Sequence, residues 1–325
     1  MKKRTIITVT ALVLTAILSL SMIGCGKGAS MTEFCNFAKQ KGVEFYEKFV
    51  DYDKFGDLTG AYTQTGLNED YQELTYKSSD TSDLITERVK TYEEKSEIKG
   101  TLNVKTIDGV VYISLVGETI FTTTSRNVAP DTQLLMETVT QNKYTTSYDF
   151  GKNGNEYYLR EYQKTEEQDR EVSEEKNYMV YPSLNEYKTA VNEVLFDIRE
   201  NVFSMAYNTS GVIQVYGILG FVSTVEKDGD VLTMSSTNGR FAFEEGYLAE
   251  QGILIEMGVG NDGLTKLKVE NVNEVDKHET ENTMQNIDIT YKSDYAPVQN
   301  PFEGYTLQTS ISLGSIIPEF SIEVL

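Results

Sequence analysis

The chain contains no tryptophan, one histidine, two cysteines and five prolines in 325 residues, and each shortage closes off a class of function. A single imidazole, His278, cannot build a multi-histidine metal site. Without a Gly-x-Ser-x-Gly elbow beside it, it makes no triad base either. It stands in Asp276-Lys277-His278-Glu279-Thr280-Glu281, which reads as an exposed charged turn between two strands. Walker and dinucleotide-binding glycine patterns are missing as well. The sequence therefore supplies no catalytic residue, no cofactor and no metal ligand set, and the expected protein is not an enzyme.

Basic side chains are also scarce, 29 Lys and Arg against 50 Asp and Glu, for a formal net charge of −21. Such a chain is repelled by nucleic acid and by anionic lipid headgroups, and it has no basic stripe to offset this. What is present is the material for a core: 39% hydrophobic residues and 11% aromatics argue against wholesale disorder. The length accommodates one large or two modest domains. Twenty-one of the aromatics are tyrosine, a residue suited to half-exposed sheet faces because its ring packs while its hydroxyl stays wet.

The N-terminus has three parts. Lys2, Lys3 and Arg4 precede an apolar run from Ile6 to Leu20, which ends in Ser21-Met22-Ile23-Gly24-Cys25. The charged-then-apolar order is that of an export signal. The closing residues resemble the lipobox of bacterial lipoproteins, with Met22 in place of the more usual leucine. That resemblance implies a signal peptide over 1–24, cut before Cys25, and diacylglycerol on the Cys25 sulfur. Two or more acyl chains anchor stably, so the expected location is the extracytoplasmic face of the bacterial cell membrane. The competing readings are an ordinary cleaved signal with an incidental cysteine and a retained spanning helix, since Ile6 to Ile23 is just long enough to cross a bilayer. With Cys25 engaged by lipid, Cys35 has no partner for an intramolecular disulfide and reads as a small core residue.

After a short anchor linker, 25–29, Ser30-Met31-Thr32-Glu33 is a capping-box signature. Phe34, Phe37, Ala38, Phe45 and Phe49 follow at helical spacing, with Gly42 weakening the pattern. Asp51 to Gly66 reads as a polar loop. Its start, Asp51-Tyr52-Asp53-Lys54-Phe55-Gly56-Asp57, has the carboxylates and glycine of a calcium loop, but Phe55 and Tyr62 stand where further ligands belong, so no metal is assigned.

The period then changes to two. Strands are expected at Tyr71–Lys77, Ile85–Glu97, Gly100–Thr106, Val110–Leu115, Thr119–Ser125, Lys143–Phe150, Glu156–Gln163 and Asn177–Tyr181, punctuated by turns such as Asp108-Gly109. Thr165 to Lys176 reads as a solvated loop or the tip of a long hairpin. Ser183-Leu184-Asn185-Glu186 repeats the capping box, and Leu184, Tyr187, Val191, Val194, Leu195, Ile198, Val202 and Met205 fall on one face of a predicted helix. Further strands are expected at Val212–Thr224, Val231–Ser236, Arg240–Phe243, Ile253–Met257, Leu264–Val269 and Ile287–Tyr291. Adjacent acidic pairs such as Glu93-Glu94 and Glu174-Glu175 point to opposite faces of a strand and read as surface charge rather than a hydrolytic pair. The order predicts an α+β fold, mainly antiparallel β, as a curved sheet or half-barrel covered by a few helices. The β-rich domain is expected over 30–300, with a subdivision near 182, followed by a tail over 301–325 too interrupted to cross a membrane.

The lipobox, one long amphipathic helix amid many hairpins, and the closing runs Leu264-Thr265-Lys266-Leu267-Lys268-Val269 and Ile287-Asp288-Ile289-Thr290-Tyr291-Lys292-Ser293-Asp294-Tyr295 resemble the layout of LolA/LppX-like lipoproteins. Those are half-barrels, and the resemblance implies a lipid or acyl chain held between sheet and helices. The stripe from Leu184 to Met205 would then line the ligand cavity, although a stripe of that spacing equally makes plain core. Gly26 to Ala29 span about 14 Å when extended, which would keep the domain close to the bilayer. The expected function is therefore a non-enzymatic, membrane-anchored protein binding a hydrophobic ligand. The alternative is an envelope scaffold or protein-interaction module with a protein partner. A transporter solute-binding protein fits less well, because those alternate strand and helix.

Overall fold

The computed structural model describes residues 30–48, 52–77, 84–128, 135–198, 222–239, 251–274 and 279–313. Cys25, Val202, Met205 and His278 lie outside the described residues, as do the strand expected at Arg240–Phe243 and all but the last three residues of the one expected at Val212–Thr224.

Among the described residues the chain forms two helices and a twelve-stranded sheet. Helix α1 (Met31–Lys48) and helix α2 (Leu184–Ile198) both start as the sequence predicts. The Ser30 hydroxyl accepts from the Glu33 amide at 3.1 Å, and the Ser183 hydroxyl accepts from the Glu186 amide at 3.3 Å. Each cap satisfies one of the amides that a helix N-terminus leaves without a partner.

The strands are β1 (Leu58–Lys77), β2 (Leu84–Ile107), β3 (Val110–Val128), β4 (Leu135–Asn153), β5 (Glu156–Glu167), β6 (Ser173–Tyr181), β7 (Val222–Asp228), β8 (Val231–Gly239), β9 (Gln251–Gly260), β10 (Gly263–Glu274), β11 (Glu279–Thr290) and the two-residue β12 (Thr306–Leu307). They lie in the order β12-β6-β5-β4-β3-β2-β1-β11-β10-β9-β8-β7, antiparallel throughout except for β12, which pairs parallel to β6. The sheet is open rather than closed into a barrel, and the predicted class, a curved antiparallel sheet with few helices, is the observed one.

The topology consists of two meanders. In the first, β1 to β6 each pair with the next strand; in the second, β7 to β11 do the same. They join at one seam, where β1 pairs with β11 from Thr59↔Thr290 to Asp70↔Glu279. Each helix precedes one meander in sequence yet packs on the other. Helix α1 lies against β7 to β10, while α2 lies against β5 and β6. The exchange interlocks the halves into one hydrophobic core that contains Phe34 of α1, Leu195 of α2, Ile113 of the first meander and Leu267 of the second.

Segments expected to be irregular are strand. Residues 58–66, read as part of a polar loop, are the start of β1; the strands expected at Ile85–Glu97 and Gly100–Thr106 are the single long strand β2, and those at Val110–Leu115 and Thr119–Ser125 are the single long strand β3. Gly100 lies opposite both Tyr62 and Gly117. A β-carbon at Gly100 would come within 2.2 Å of the Tyr62 ring, so the glycine is the seat on which that aromatic lies. Asp108 and Gly109, at φ 51° and 75°, form the tight turn the sequence predicts. Between Thr165 and Lys176, β5 runs to Glu167 and β6 begins at Ser173, which makes the stretch a hairpin tip.

The chain after β11 is a strap. It crosses the outer face of β3 to β6, where Phe302 stacks on Tyr178 and meets Tyr158 edge-on. Tyr295 donates to Asp149, which also holds Arg160 at 2.8 Å. The strap then rounds the sheet edge as β12, where the Gln308 amide donates to the Tyr178 carbonyl. Its last described residues reach the inner face, where the Ser312 carbonyl accepts from the Tyr148 hydroxyl.

Candidate functional site

The stripe of α2 is the predicted ligand-lining surface, and the structure divides it. Tyr187, Val191, Val194, Leu195 and Ile198 are brought together against the inner face of the sheet, and all are buried. Leu184 is 37% exposed and sits outside this group. The neighbours of Tyr187 are aromatic. Tyr187 has Tyr157 tilted against it at 5.2 Å, Tyr181 edge-on at 5.7 Å, Tyr52 edge-on at 6.3 Å and Phe150 at 6.4 Å. Such offset and edge-to-face pairs add about 0.5–1.5 kcal/mol each beyond area burial. Helix α2 is thus fixed to the sheet by interlocked rings.

Two hydroxyls anchor this cluster to the backbone. The Tyr187 hydroxyl donates to the Val111 carbonyl at 2.5 Å, and the Val111 amide donates to the Tyr52 hydroxyl at 2.9 Å. The β3–β4 register begins only at Ile113↔Phe150, so tyrosine hydroxyls bond both polar groups of the Val111 residue where β4 does not. The Tyr52 amide in turn donates to Asn192 of α2 at 3.0 Å. These partners were missed in the sequence because Tyr52 sits in a polar-looking segment and Tyr157 and Tyr181 are spread over two hairpins.

Burial sets the protonation of the cluster. It raises the phenol pKa of Tyr187 well above the ordinary value, raises that of Tyr52, and pushes Tyr181 up to about 12. All three are neutral phenols at physiological pH. Their hydroxyls and rings bond and pack within the cluster.

Toward the arms of the sheet, the apolar face gives way to amides. On adjacent strands, Gln64 faces Gln285 and Asn271 faces Thr283. Gln64 Oε1 and Asn271 Oδ1 are buried there without a hydrogen-bond donor. Each such oxygen costs roughly 1–3 kcal/mol until a donor reaches it.

The carboxylates of the calcium-like segment that are described, Asp53 and Asp57, pair with lysines. Lys188 binds Asp53 at 2.6 Å, and Lys105 binds Asp57 at 3.0 Å. The Asp57 carboxyl is held below its usual range by hydrogen bonds from the Thr106 amide and Lys105, which outweigh its desolvation. Glu93 and Glu94 face opposite ways, the first to Lys90 and Lys95 and the second to the Tyr92 hydroxyl. Among the described residues no group of three or more His, Cys, Asp or Glu is placed to hold a metal ion, and no helix is long and apolar enough to cross a membrane. No family model, no curated protein and no solved structure matches the chain.

Proposed function

We propose that this chain is a lipid-anchored protein of the extracytoplasmic membrane face, without catalytic activity, that binds a hydrophobic ligand such as a lipid or acyl chain between its sheet and helices. The observation that carries this reading is the asymmetry of the sheet. Its inner face gathers Leu58, Leu102, Val104, Ile113 and Leu115 into one apolar surface, while the two described helices lie over its two ends. An acyl chain entering between α1 and α2 would run over the central strands. Its head group, if it offers donors, would meet the unbonded oxygens of Gln64 and Asn271. Because both the α2 stripe and those central apolar residues are already buried within the protein, uptake requires the elements that cover the inner face, α2 among them, to shift off the sheet.

The test is extraction of native protein, purified from membranes in a mild detergent, followed by mass spectrometry of the extract and of the intact chain. The expected result is a stoichiometric acyl lipid and a diacylglyceryl group on Cys25. Repeated extracts empty of lipid remove the ligand, and an unacylated N-terminus removes the anchor. A second reading, an envelope module that binds another protein, is favoured by the arms of β1 to β4. Among the described side chains of 65–77, 84–97, 117–128 and 135–147, only Thr124 is buried. The arms therefore project roughly 40 Å beyond the core as a two-sided sheet.

A further inference from the structure

The arms carry an unusual distribution of charge. Strands β3 and β4 pair without a register shift from Ile113↔Phe150 to Val128↔Leu135, so directly opposed residues share a face along the whole hairpin. On the outer face the hairpin bears the ion pairs Glu118–Lys143 and Arg126–Glu137. The inner face, continuous with the apolar face of the core, has no charged residue on β3 from Gly117 to Asn127 or on β4 from Met136 to Thr146. That is notable in a chain of which 24% is charged and whose net charge is −21. In place of charge it shows Thr119, Thr123, Thr140 and Asn142 around an edge-to-face pair, Phe121 and Tyr144, with centroids 6.3 Å apart. Phe121 is 39% exposed. The flanking carboxylates on this face are both engaged: Glu94 accepts from Tyr92, and Glu167 accepts from Tyr144 and pairs with Arg170 at the hairpin rim.

We propose that this face of the β3–β4 hairpin binds a neutral glycan chain. A pyranose ring is uncharged, has an apolar face of C–H groups that lies on an aromatic ring, and is rimmed by hydroxyls that both donate and accept. Phe121 and Tyr144 offer the ring surface. Threonine hydroxyls and the Asn142 amide offer both donors and acceptors, and the absence of fixed charge costs a neutral ligand no desolvation of ions. A second copy of the chain fits less well. Homodimer interfaces are about 65% apolar at their buried core, whereas hydroxyl and amide side chains predominate here, and two chains of net charge −21 repel.

The experiment uses the full chain in detergent, with two probes: the β-1,4-linked hexasaccharides of glucose and of N-acetylglucosamine. Titration calorimetry measures binding, and amide hydrogen exchange locates it. The expected result is saturable binding of at least one probe, with slowed exchange across 117–128 and 135–146. Phe121→Ala should weaken it by about tenfold or more, and Thr123→Glu should do the same by charging the face. Val139→Ala, on the opposite face, should leave it unchanged, and circular dichroism checks that each variant is folded. No saturable binding of either probe overturns the proposal, as does binding that survives both inner-face substitutions. Sedimentation showing a dimer that Phe121→Ala dissolves assigns the face to a second copy instead. None of these outcomes depends on whether the core takes up lipid.

Discussion

Replacing Tyr187 by phenylalanine isolates one hydrogen bond at the centre of the α2 contact. Phenylalanine keeps the ring among Tyr52, Phe150, Tyr157 and Tyr181, so the packing changes little. What disappears is the hydroxyl that donates to the Val111 carbonyl at 2.5 Å. Val111 is buried, and β4 does not extend its register to that residue. The carbonyl is then left without a donor and without water. An orphaned buried acceptor costs about 1–3 kcal/mol, partly offset because phenylalanine buries no hydroxyl. With a denaturant slope at the upper end of about 1–3 kcal/mol per molar for a chain this long, the urea midpoint should fall by roughly 0.3–1 M. Equilibrium unfolding followed by circular dichroism reads this directly. Tyr52→Phe is the companion variant, since it strands the Val111 amide instead. Midpoints for both variants within about 0.2 M of the parent would refute the role given to these hydroxyls.

Alkaline pH should unfold the protein steeply. Burial raises the pKa of Tyr158 and Tyr181 to about 12 and that of Tyr187 well above the ordinary 10. Their contribution is whole below pH 10, where unfolded tyrosine is still protonated, and is lost as pH rises from there through the folded values; urea midpoints and phenolate absorbance between pH 8 and 12 should fall and rise together. Gly100→Val should destabilise by about 1–3 kcal/mol, because the new side chain meets the Tyr62 ring, and a thermal melt unchanged from the parent would contradict the seat described for it. Lys90 separates Glu69 and Glu93, which lie directly opposite one another on β1 and β2. Lys90→Ala should speed amide exchange in 71–77 and 84–90. In the parent, hydrogen bonds from Lys90 and Lys95 hold Glu93 at about 2, so its support for the arm is present above the ordinary glutamate range and fades as pH falls toward that value.

Much of the architecture was legible in the sequence, and the exceptions have identifiable causes. Both helix starts were readable because a serine cap with glutamate three residues on is a local signal, satisfied within one turn. Strand ends marked by Asp108-Gly109 were readable for the same reason. The long strands were not, because Gly100 and Gly117 look like turn residues. They lie opposite each other inside the sheet, and Gly100 makes room for Tyr62. The first half of β1 was hidden because its inner face runs Leu58, Gly60, Tyr62, Gln64, Gly66, too small and too polar to alternate visibly. The α2 stripe was visible as a stripe, but its partners Tyr52, Phe150, Tyr157 and Tyr181 come from loops and strands whose meeting depends on the whole topology. The strap was invisible for a similar reason: Tyr295 finds Asp149, and Phe302 finds Tyr158 and Tyr178, across more than a hundred residues.

The seam between β1 and β11 dictates an order of assembly. The first six strands can zip together one after another as the chain emerges, since each needs only its predecessor. Strand β1, however, keeps one bare edge until residues 279–290 have been synthesised, and helix α1 waits until Glu274 for the last of the strands it covers. At about 5–20 residues per second, that exposed edge persists for many seconds in the growing polypeptide. A truncation anywhere before β11 leaves the second edge of β1 without its partner strand.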